Sequence, residues 1–219
     1  MKKNNFLKIF TVLSIIIVPS IAYYIITPKH PSFIHLPIYG HTSVNEKGDS
    51  IYHTIPAFEF TAQDGNIFSS KKLDGQIFVA DFFFTTCQST CPKLSGQLYR
   101  IADRYKAMRE LTLVSFSVNP EHDSVSVLAD YGKKFLVDAS KWKLLTGDKK
   151  KIYDLARTGF MIPVEKGDGG PEDFIHSDQL VLVDKDKRIR GYYDGTNDKE
   201  VDNLMNEIKV LLLENINEK

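Results

Sequence analysis

Cysteine is nearly absent from this sequence, since Cys87 and Cys91 are the only two in 219 residues. A disulfide-rich scaffold is therefore excluded, and the core must be held by the packing of apolar side chains. Net charge is absent as well, because 28 basic and 28 acidic residues cancel. Without a basic excess we expect no nucleic-acid partner. With 42% hydrophobic residues the chain can still bury a full core.

Charge is also missing from residues 9–28, IFTVLSIIIVPSIAYYIITP, which follow Lys2, Lys3 and Lys8. As a helix this stretch would rise about 30 Å, which matches the hydrocarbon core of a membrane. Basic residues ahead of such a segment favour a cytoplasmic N-terminus. We therefore predict that residues 1–28 are a single-pass anchor in the cytoplasmic (inner) membrane, with the rest of the chain on the exported, periplasmic side.

A cleaved signal peptide is the alternative, because Ser20, Ile21 and Ala22 resemble a small-x-small cleavage site. The apolar stretch continues beyond that point, so we prefer a retained anchor. Residues 29–50 contain proline and glycine with little periodicity, and we interpret them as a linker. The folded domain is then expected over residues 51–216.

The order of apolar patterns within the domain is that of a mixed α/β protein. A short hairpin is predicted at residues 57–69, and residues 77–84 form a continuous apolar run that is typical of a central strand covered on both faces. A helix, a second buried strand at residues 111–118 and further αβ elements follow. A hairpin at residues 179–193 and a closing helix end the domain. We predict a thioredoxin-like α/β sandwich with an N-terminal β-hairpin, preceded by one transmembrane helix.

Both cysteines fall between the first buried strand and the helix that follows it. Pro92 suits the first helical position, so Cys91 is predicted as the N-cap residue, with Cys87 in the preceding turn. The positive end of the helix dipole favours the thiolate, which is the nucleophilic and metal-binding form. Three residues separate the cysteines, so the two sulfurs could face one ion or close a disulfide. A purely structural disulfide is the weaker explanation, because so short a loop restricts the unfolded chain little.

Soft sulfur ligands select Cu(I), and imidazole is a compatible third donor. His176 precedes the strand predicted at residues 179–183, in a loop that lies beside the cysteine turn in this architecture. Taken alone, a histidine in a loop is more often solvated than a metal ligand. His53 and His122 are interpreted as surface residues.

Three motifs occur in order along the chain: the C-x-x-x-C-P run of residues 87–92, SVNPEHDS at residues 117–124, and His176-Ser177 followed by LVLVDKDKRIRGYYDGT at residues 180–196. Together they resemble the SCO/SenC family of copper-binding proteins for cytochrome c oxidase assembly. Asn119 departs from the family pattern, in which aspartate is common at this position.

The resemblance implies that Cys87, Cys91 and His176 bind copper, as Cu(I) with Cu(II) left open. It also implies that the metal goes to the copper-site subunit of cytochrome c oxidase, with a thiol reductant or other copper chaperones as further partners. We therefore predict a membrane-tethered copper metallochaperone rather than a turnover enzyme.

Asp81 keeps a second function open. It lies within the apolar strand, six residues before Cys87, and resembles the buried acid of thioredoxins. Desolvation raises the pKa of such a carboxyl and suits it to proton transfer with a thiol. A structural acid paired with a lysine is the other explanation. Thiol-disulfide exchange, on exported proteins or on the cysteines of the oxidase, is thus the alternative function. Peroxide reduction is disfavoured, since no arginine is obviously placed near the cysteines.

Overall fold

The computed structural model describes residues 15–21, 35–162 and 177–217. His176, most of the apolar segment 9–28 and the start of the predicted linker lie outside these ranges. Residues 15–21 are helical. Among the described residues, no helix is long and apolar enough to cross a membrane. From His35 onwards the chain forms one compact unit.

That unit is built on a seven-stranded sheet with the strand order β4-β3-β7-β6-β5-β8-β9. The three central strands β5, β6 and β7 are parallel, and every other neighbouring pair is antiparallel. The strands are β3 (Glu59–Ala62), β4 (Ile67–Ser69), β5 (Ile77–Phe83), β6 (Leu111–Ser117), β7 (Trp142–Thr146), β8 (Gln179–Val183) and β9 (Ile189–Asp194). A separate two-stranded hairpin pairs β1 (Thr42–Val44) with β2 (Ser50–Tyr52).

In the described residues from 35 onwards, four α-helices accompany the sheet: α1 (Thr90–Arg104), α2 (Val125–Lys134), α3 (Lys149–Asp154) and α4 (Asp198–Asn217). One 3₁₀ turn covers Ser70–Leu73, and one π turn, Leu155–Gly159, directly follows α3. The β-β-β-α-β-α-β-α-β-β-α order around a mixed sheet confirms the predicted thioredoxin-like α/β fold.

The continuous apolar sequence of β5 is explained by burial on both faces. All seven of its residues are buried. Ile77, Val79 and Phe83 pack into one core together with apolar residues of α1 and α4. Phe78 and Phe82 point the other way, into a second core that contains Phe160 and other aromatic rings. The strand that carries the cysteine turn is therefore enclosed on both faces, as is its neighbour β6.

The segment interpreted as a linker carries more structure than was expected. Leu36 is buried, and the Tyr39 N–H donates to the Ile189 carbonyl at 2.8 Å. Buried Arg190 donates to the carbonyls of Leu36 at 2.6 Å and of Pro37 at 3.0 Å. An arginine has five N–H groups to satisfy when it is buried, and the unpaired carbonyls of this irregular segment serve as acceptors. The compact unit therefore begins ahead of residue 51.

His53 also differs from its interpretation as a surface residue. Its ring is partly buried, and Nε2 lies 2.7 Å from the carbonyl oxygen of Gly159 at the end of the π turn. The two residues are 106 positions apart in sequence. No local pattern indicates such a contact.

Candidate thiol and metal site

The two cysteines lie where β5 passes into α1. After Phe83 the chain makes a turn centred on Thr85 and Thr86, and the Cys87 N–H donates to the Phe84 carbonyl at 3.3 Å. The helix then begins at Thr90, so Cys91 is its second residue.

The structure thus corrects the prediction that Cys91 is the N-cap residue, because Ser89 occupies that position. The prediction rested on Pro92 as the first helical residue. The first N–H groups of a helix have no acceptor within the helix, so proline is tolerated throughout the first turn. Pro92 therefore marks the beginning of the helix without specifying its first residue.

Both cysteines are free thiols, and Cys87 accepts hydrogen bonds from Cys91. The Cys91 N–H donates to Cys87 Sγ at 3.4 Å, and Ser89 Oγ lies 3.9 Å from the same sulfur. Cys91 is only 5% exposed, whereas Cys87 is intermediate. The outer sulfur is therefore the one that solvent and a partner protein can reach.

Opposing effects separate the pKa values of the two thiols. Burial raises the pKa of Cys87. Hydrogen bonds to its sulfur outweigh this effect and lower the pKa to about 7; they come from the backbone and thiol of Cys91 and from the N–H groups of Ser89 and Thr90. Burial raises the pKa of Cys91 to about 12, and its hydrogen bond to Cys87 acts in the same direction. Near neutral pH, Cys87 is thus partly thiolate while Cys91 keeps its proton.

Asp81 lies in β5 and is 2% exposed. The Ser115 hydroxyl donates to its carboxylate, and Trp142 Nε1 donates to Ser115 Oγ at 2.7 Å. Burial raises the pKa of Asp81 to about 7, against the opposite effect of the Ser115 hydrogen bond. The partner that the structure gives to this acid is a hydroxyl, rather than the lysine considered above.

An open pocket of about 420 Å³ lies over the cysteines. Both cysteines line it, together with Phe84 and, from the loop before the neighbouring strand β8, Ser177 and Asp178. Ser177 directly follows His176, which itself lies outside the described residues. The backbone that follows Ser177 is fixed to the residue after β9, because the Gly195 N–H donates to the Asp178 carbonyl at 2.7 Å.

Among the described residues no cluster of three or more His, Cys, Asp or Glu side chains could hold a metal ion. Cys87 and Cys91 provide two adjacent soft donors at the pocket.

Asp123 is a residue of this site that sequence reasoning missed. It is fully buried, and its carboxylate accepts hydrogen bonds from the Thr85 N–H at 3.1 Å and the Thr85 hydroxyl at 2.5 Å. Ser117 Oγ at 2.6 Å and His122 Nδ1 at 2.9 Å complete the set. His122 itself is half exposed, as expected. The only signal in the sequence was the position of Asp123 in the SVNPEHDS motif, immediately before Ser124, which caps α2.

A thioredoxin-like α/β domain with two free thiols at the strand-helix turn defines a class of proteins that handle disulfides or soft metal ions. The family model described as SCO1/SenC matches residues 46–212. The chain therefore belongs to the SCO1/SenC family, as the resemblance of its motifs indicated.

Solved structures agree with this assignment. A SCO1/SenC family lipoprotein from Bacillus anthracis str. Ames is 31% identical, covers 73% of this chain and 95% of its own, and superposes with a TM-score of 0.65. BsSco, a member of the Sco family of cytochrome c oxidase assembly proteins in which a disulfide switch was identified, is 28% identical over 73% of this chain and 93% of its own, with a TM-score of 0.62. Arabidopsis thaliana ScoI with copper bound is 27% identical over 70% of this chain and 97% of its own, with a TM-score of 0.56.

Proposed function

We propose that this protein is a copper metallochaperone that binds Cu(I) through Cys87, Cys91 and His176. The observation that carries the proposal is that both free thiols line one pocket with Ser177, the neighbour of His176. Two thiolates and an imidazole are the soft and borderline donors that Cu(I) prefers. The copper-bound relative from Arabidopsis supports the same metal here.

The chain's own residues would prepare the metal site in a defined way. Cys87 is partly ionised near neutral pH, so it can offer a thiolate to an incoming ion. Cys91 must lose its proton on binding, which makes copper uptake release a proton. Since Cys91 is buried and Cys87 is not, the outer thiol is the natural first contact for the metal and the last on transfer.

The receiving partner in this proposal is the copper-site subunit of cytochrome c oxidase, in keeping with the family to which BsSco belongs. A thiol reductant or another copper chaperone would restore the reduced, loaded state. The protein would act as a tethered carrier outside the cytoplasm, anchored by residues 1–28 with the N-terminus inside. The uncharged stretch behind three lysines supports the anchor, and its residues 15–21 are helical.

Anaerobic titration with Cu(I) against a competing chelator tests the ligand set. Reduced protein should take up about one Cu(I). Replacing Cys87 or Cys91 by Ser, or His176 by Ala, should weaken binding by more than about 100-fold, since even the loss of an outer partner of a metal ligand costs 10–100-fold. His41→Ala, which removes an exposed histidine of the N-terminal segment, is the matched control. Unchanged affinity in His176→Ala would remove that residue from the site.

Fractionation of cells tests the tether. The full chain should sediment with membranes, and a chain that begins at residue 35 should not. Protease added to the exported side should cleave the domain while the membrane is intact. Release of a shortened chain into the soluble fraction would contradict a retained anchor and support cleavage near residue 22.

Thiol-disulfide exchange is a second candidate, supported by the unequal pKa values of the two thiols. The Cys87 thiolate would attack one sulfur of a partner disulfide and release the other as a thiol. The Cys91 sulfur would then attack the mixed disulfide, forming the Cys87–Cys91 bond and freeing the second partner thiol. Two electrons pass from this protein to the partner, and Asp81 is the nearby buried group suited to accept the Cys91 proton.

Reduction of a protein disulfide by the metal-free protein separates the two functions. Exchange predicts that His176→Ala retains activity and that Cys91→Ser accumulates a mixed disulfide at Cys87. Copper delivery alone predicts no turnover. Because a closed disulfide offers no thiolates, oxidation would also prevent copper binding, so the two activities are compatible in one protein.

A further inference from the structure

We propose that the buried carboxylate of Asp123 is the positioning group for Cys87, and that it acts by holding Thr85. The inference deepens the proposed function, because it names residues that set the geometry of the same thiols. Neither residue touches a sulfur in the structure, so each is a positioning residue rather than a ligand.

Asp123 is the meeting point of three segments. Its two carboxylate oxygens receive four hydrogen bonds, two from Thr85 after β5, one from Ser117 at the end of β6 and one from His122 in the turn before α2. The residue is completely enclosed. A buried carboxylate is costly unless its lone pairs are occupied, so these donors are held firmly in place.

Thr85 passes this restraint to Cys87. The Cys87 N–H closes the turn on the Phe84 carbonyl, and Thr85 is the first of the two central residues of that turn. Asp123 therefore binds both the backbone N–H and the hydroxyl of Thr85, which fixes the orientation of the peptide leading to the cysteine. The Val118 N–H, which donates to the Phe83 carbonyl at 2.8 Å, ties down the residue just before the turn.

The result is a turn fixed on one side by Asp123 and on the other by α1. The Cys87 sulfur depends on this position to accept the N–H of Cys91 at 3.4 Å. If the turn relaxes, that hydrogen bond lengthens and the Cys87 sulfur is no longer held in one position at the pocket. Asp123, in the loop after β6, thus sets the position of the Cys87 sulfur at the end of the neighbouring strand β5.

Thr85→Val removes the hydroxyl donor while keeping the size of the side chain, and Thr85→Ser keeps the hydroxyl. Alkylation of the reduced, metal-free protein by iodoacetamide at pH 7 measures the reactivity of Cys87. We expect Thr85→Val to slow it about fivefold, because Cys87 Sγ loses the N–H donor of Cys91 that holds it in place, and Thr85→Ser to restore it. The Cu(I) affinity should fall about tenfold in Thr85→Val, the lower end of the range for partners outside the ligand set.

Thr86→Val is the matched control, since Thr86 is the exposed neighbour in the same turn. Asp123→Asn should change alkylation in the same direction as Thr85→Val. Thermal unfolding is recorded for every variant. A lower melting temperature with wild-type alkylation and affinity would make Asp123 a structural residue only and overturn the proposal. Equal effects in Thr85→Val and Thr85→Ser, or in Thr86→Val, would overturn it as well.

The alkylation rate and the Cu(I) affinity test the positioning role and the proposed function separately. Alkylation needs no metal, so it tests the positioning role even if wild-type protein fails to bind Cu(I). Conversely, tight Cu(I) binding with no effect of Thr85→Val would leave the metallochaperone intact and remove Asp123 from its mechanism.

Discussion

At the scale of single residues, the two thiols should titrate far apart. Cys87, with its pKa lowered to about 7, should be alkylated at a rate that rises through neutral pH, while Cys91, with its pKa raised to about 12, should stay unmodified. Mass spectrometry of protein treated with limiting iodoacetamide measures both sites. In Cys91→Ala, Cys87 loses the thiol hydrogen bond, so its alkylation should need a higher pH. Equal labelling of both cysteines in the wild type would contradict this.

Asp81 should make stability depend on pH. Its pKa is 3.8 when unperturbed and about 7 in the folded protein, so between these values the folded state holds a proton that the unfolded state has released. The contribution of Asp81 to the free energy of unfolding should therefore be largest below about pH 4. It should fall by about 1.4 kcal/mol per pH unit up to pH 7 and then level off.

The comparison of wild type with Asp81→Asn isolates this effect. Urea unfolding at several pH values gives the difference in free energy of unfolding between the two proteins. That difference should move in favour of Asp81→Asn between pH 4 and 7, and any constant cost of the amide cancels in the slope. A pH-independent difference would mean that Asp81 is ionised in the fold as readily as in the unfolded chain.

At the scale of elements, two glycines in and beside α1 should respond oppositely to alanine. A Cβ on Gly195 would lie 2.2 Å from Leu94 of α1 and 2.9 Å from Leu180 of β8, whereas nothing lies within 4 Å of the Cβ position on Gly96. Gly195→Ala should cost about 1–3 kcal/mol through overpacking. Gly96→Ala should raise the free energy of unfolding by about 0.5–1 kcal/mol, because alanine favours a helix interior.

Both glycine variants are compared with wild type by thermal and urea unfolding. Gly96→Ala also serves as the control for Gly195→Ala, since it makes the same chemical change without the close contacts. A stabilised Gly195→Ala protein would contradict this expectation, because it would mean that Leu94 and Leu180 move aside for the added methyl group at no cost.

Elements that are local in sequence were predictable, and contacts between distant residues were not. The apolar run before Cys87 predicted β5, because a strand buried on both faces needs no polar positions apart from the paired Asp81. The beginning of α1 was wrong by two residues at Cys91, since proline fits several first-turn positions. Asp123 was missed because its partner Thr85 lies 38 positions away. His176 remains a prediction from motif resemblance.

At the scale of the whole molecule, the N-terminal segment should contribute to the stability of the domain. A chain beginning at residue 51 lacks buried Leu36 and the two carbonyls that accept from Arg190. Loss of the leucine costs about 1.5–3 kcal/mol, and orphaned N–H groups add to it. Urea unfolding should therefore show the chain beginning at residue 51 to be at least about 2 kcal/mol less stable than one beginning at residue 35. Equal midpoints and slopes would restore the linker interpretation.

The register of β5, β8 and β9 has a consequence for the direction in which the thiols face. Tyr39 joins the sheet at Ile189, which lies level with Val183 and hence with Phe78 near the beginning of β5. The cysteine turn follows the other end of that strand, about 20 Å away at 3.3 Å per residue. The chain thus enters the domain at one pole and presents its reactive sulfurs at the opposite one. A partner can therefore approach the two sulfurs without contacting the edge of the sheet at which Tyr39 pairs with Ile189.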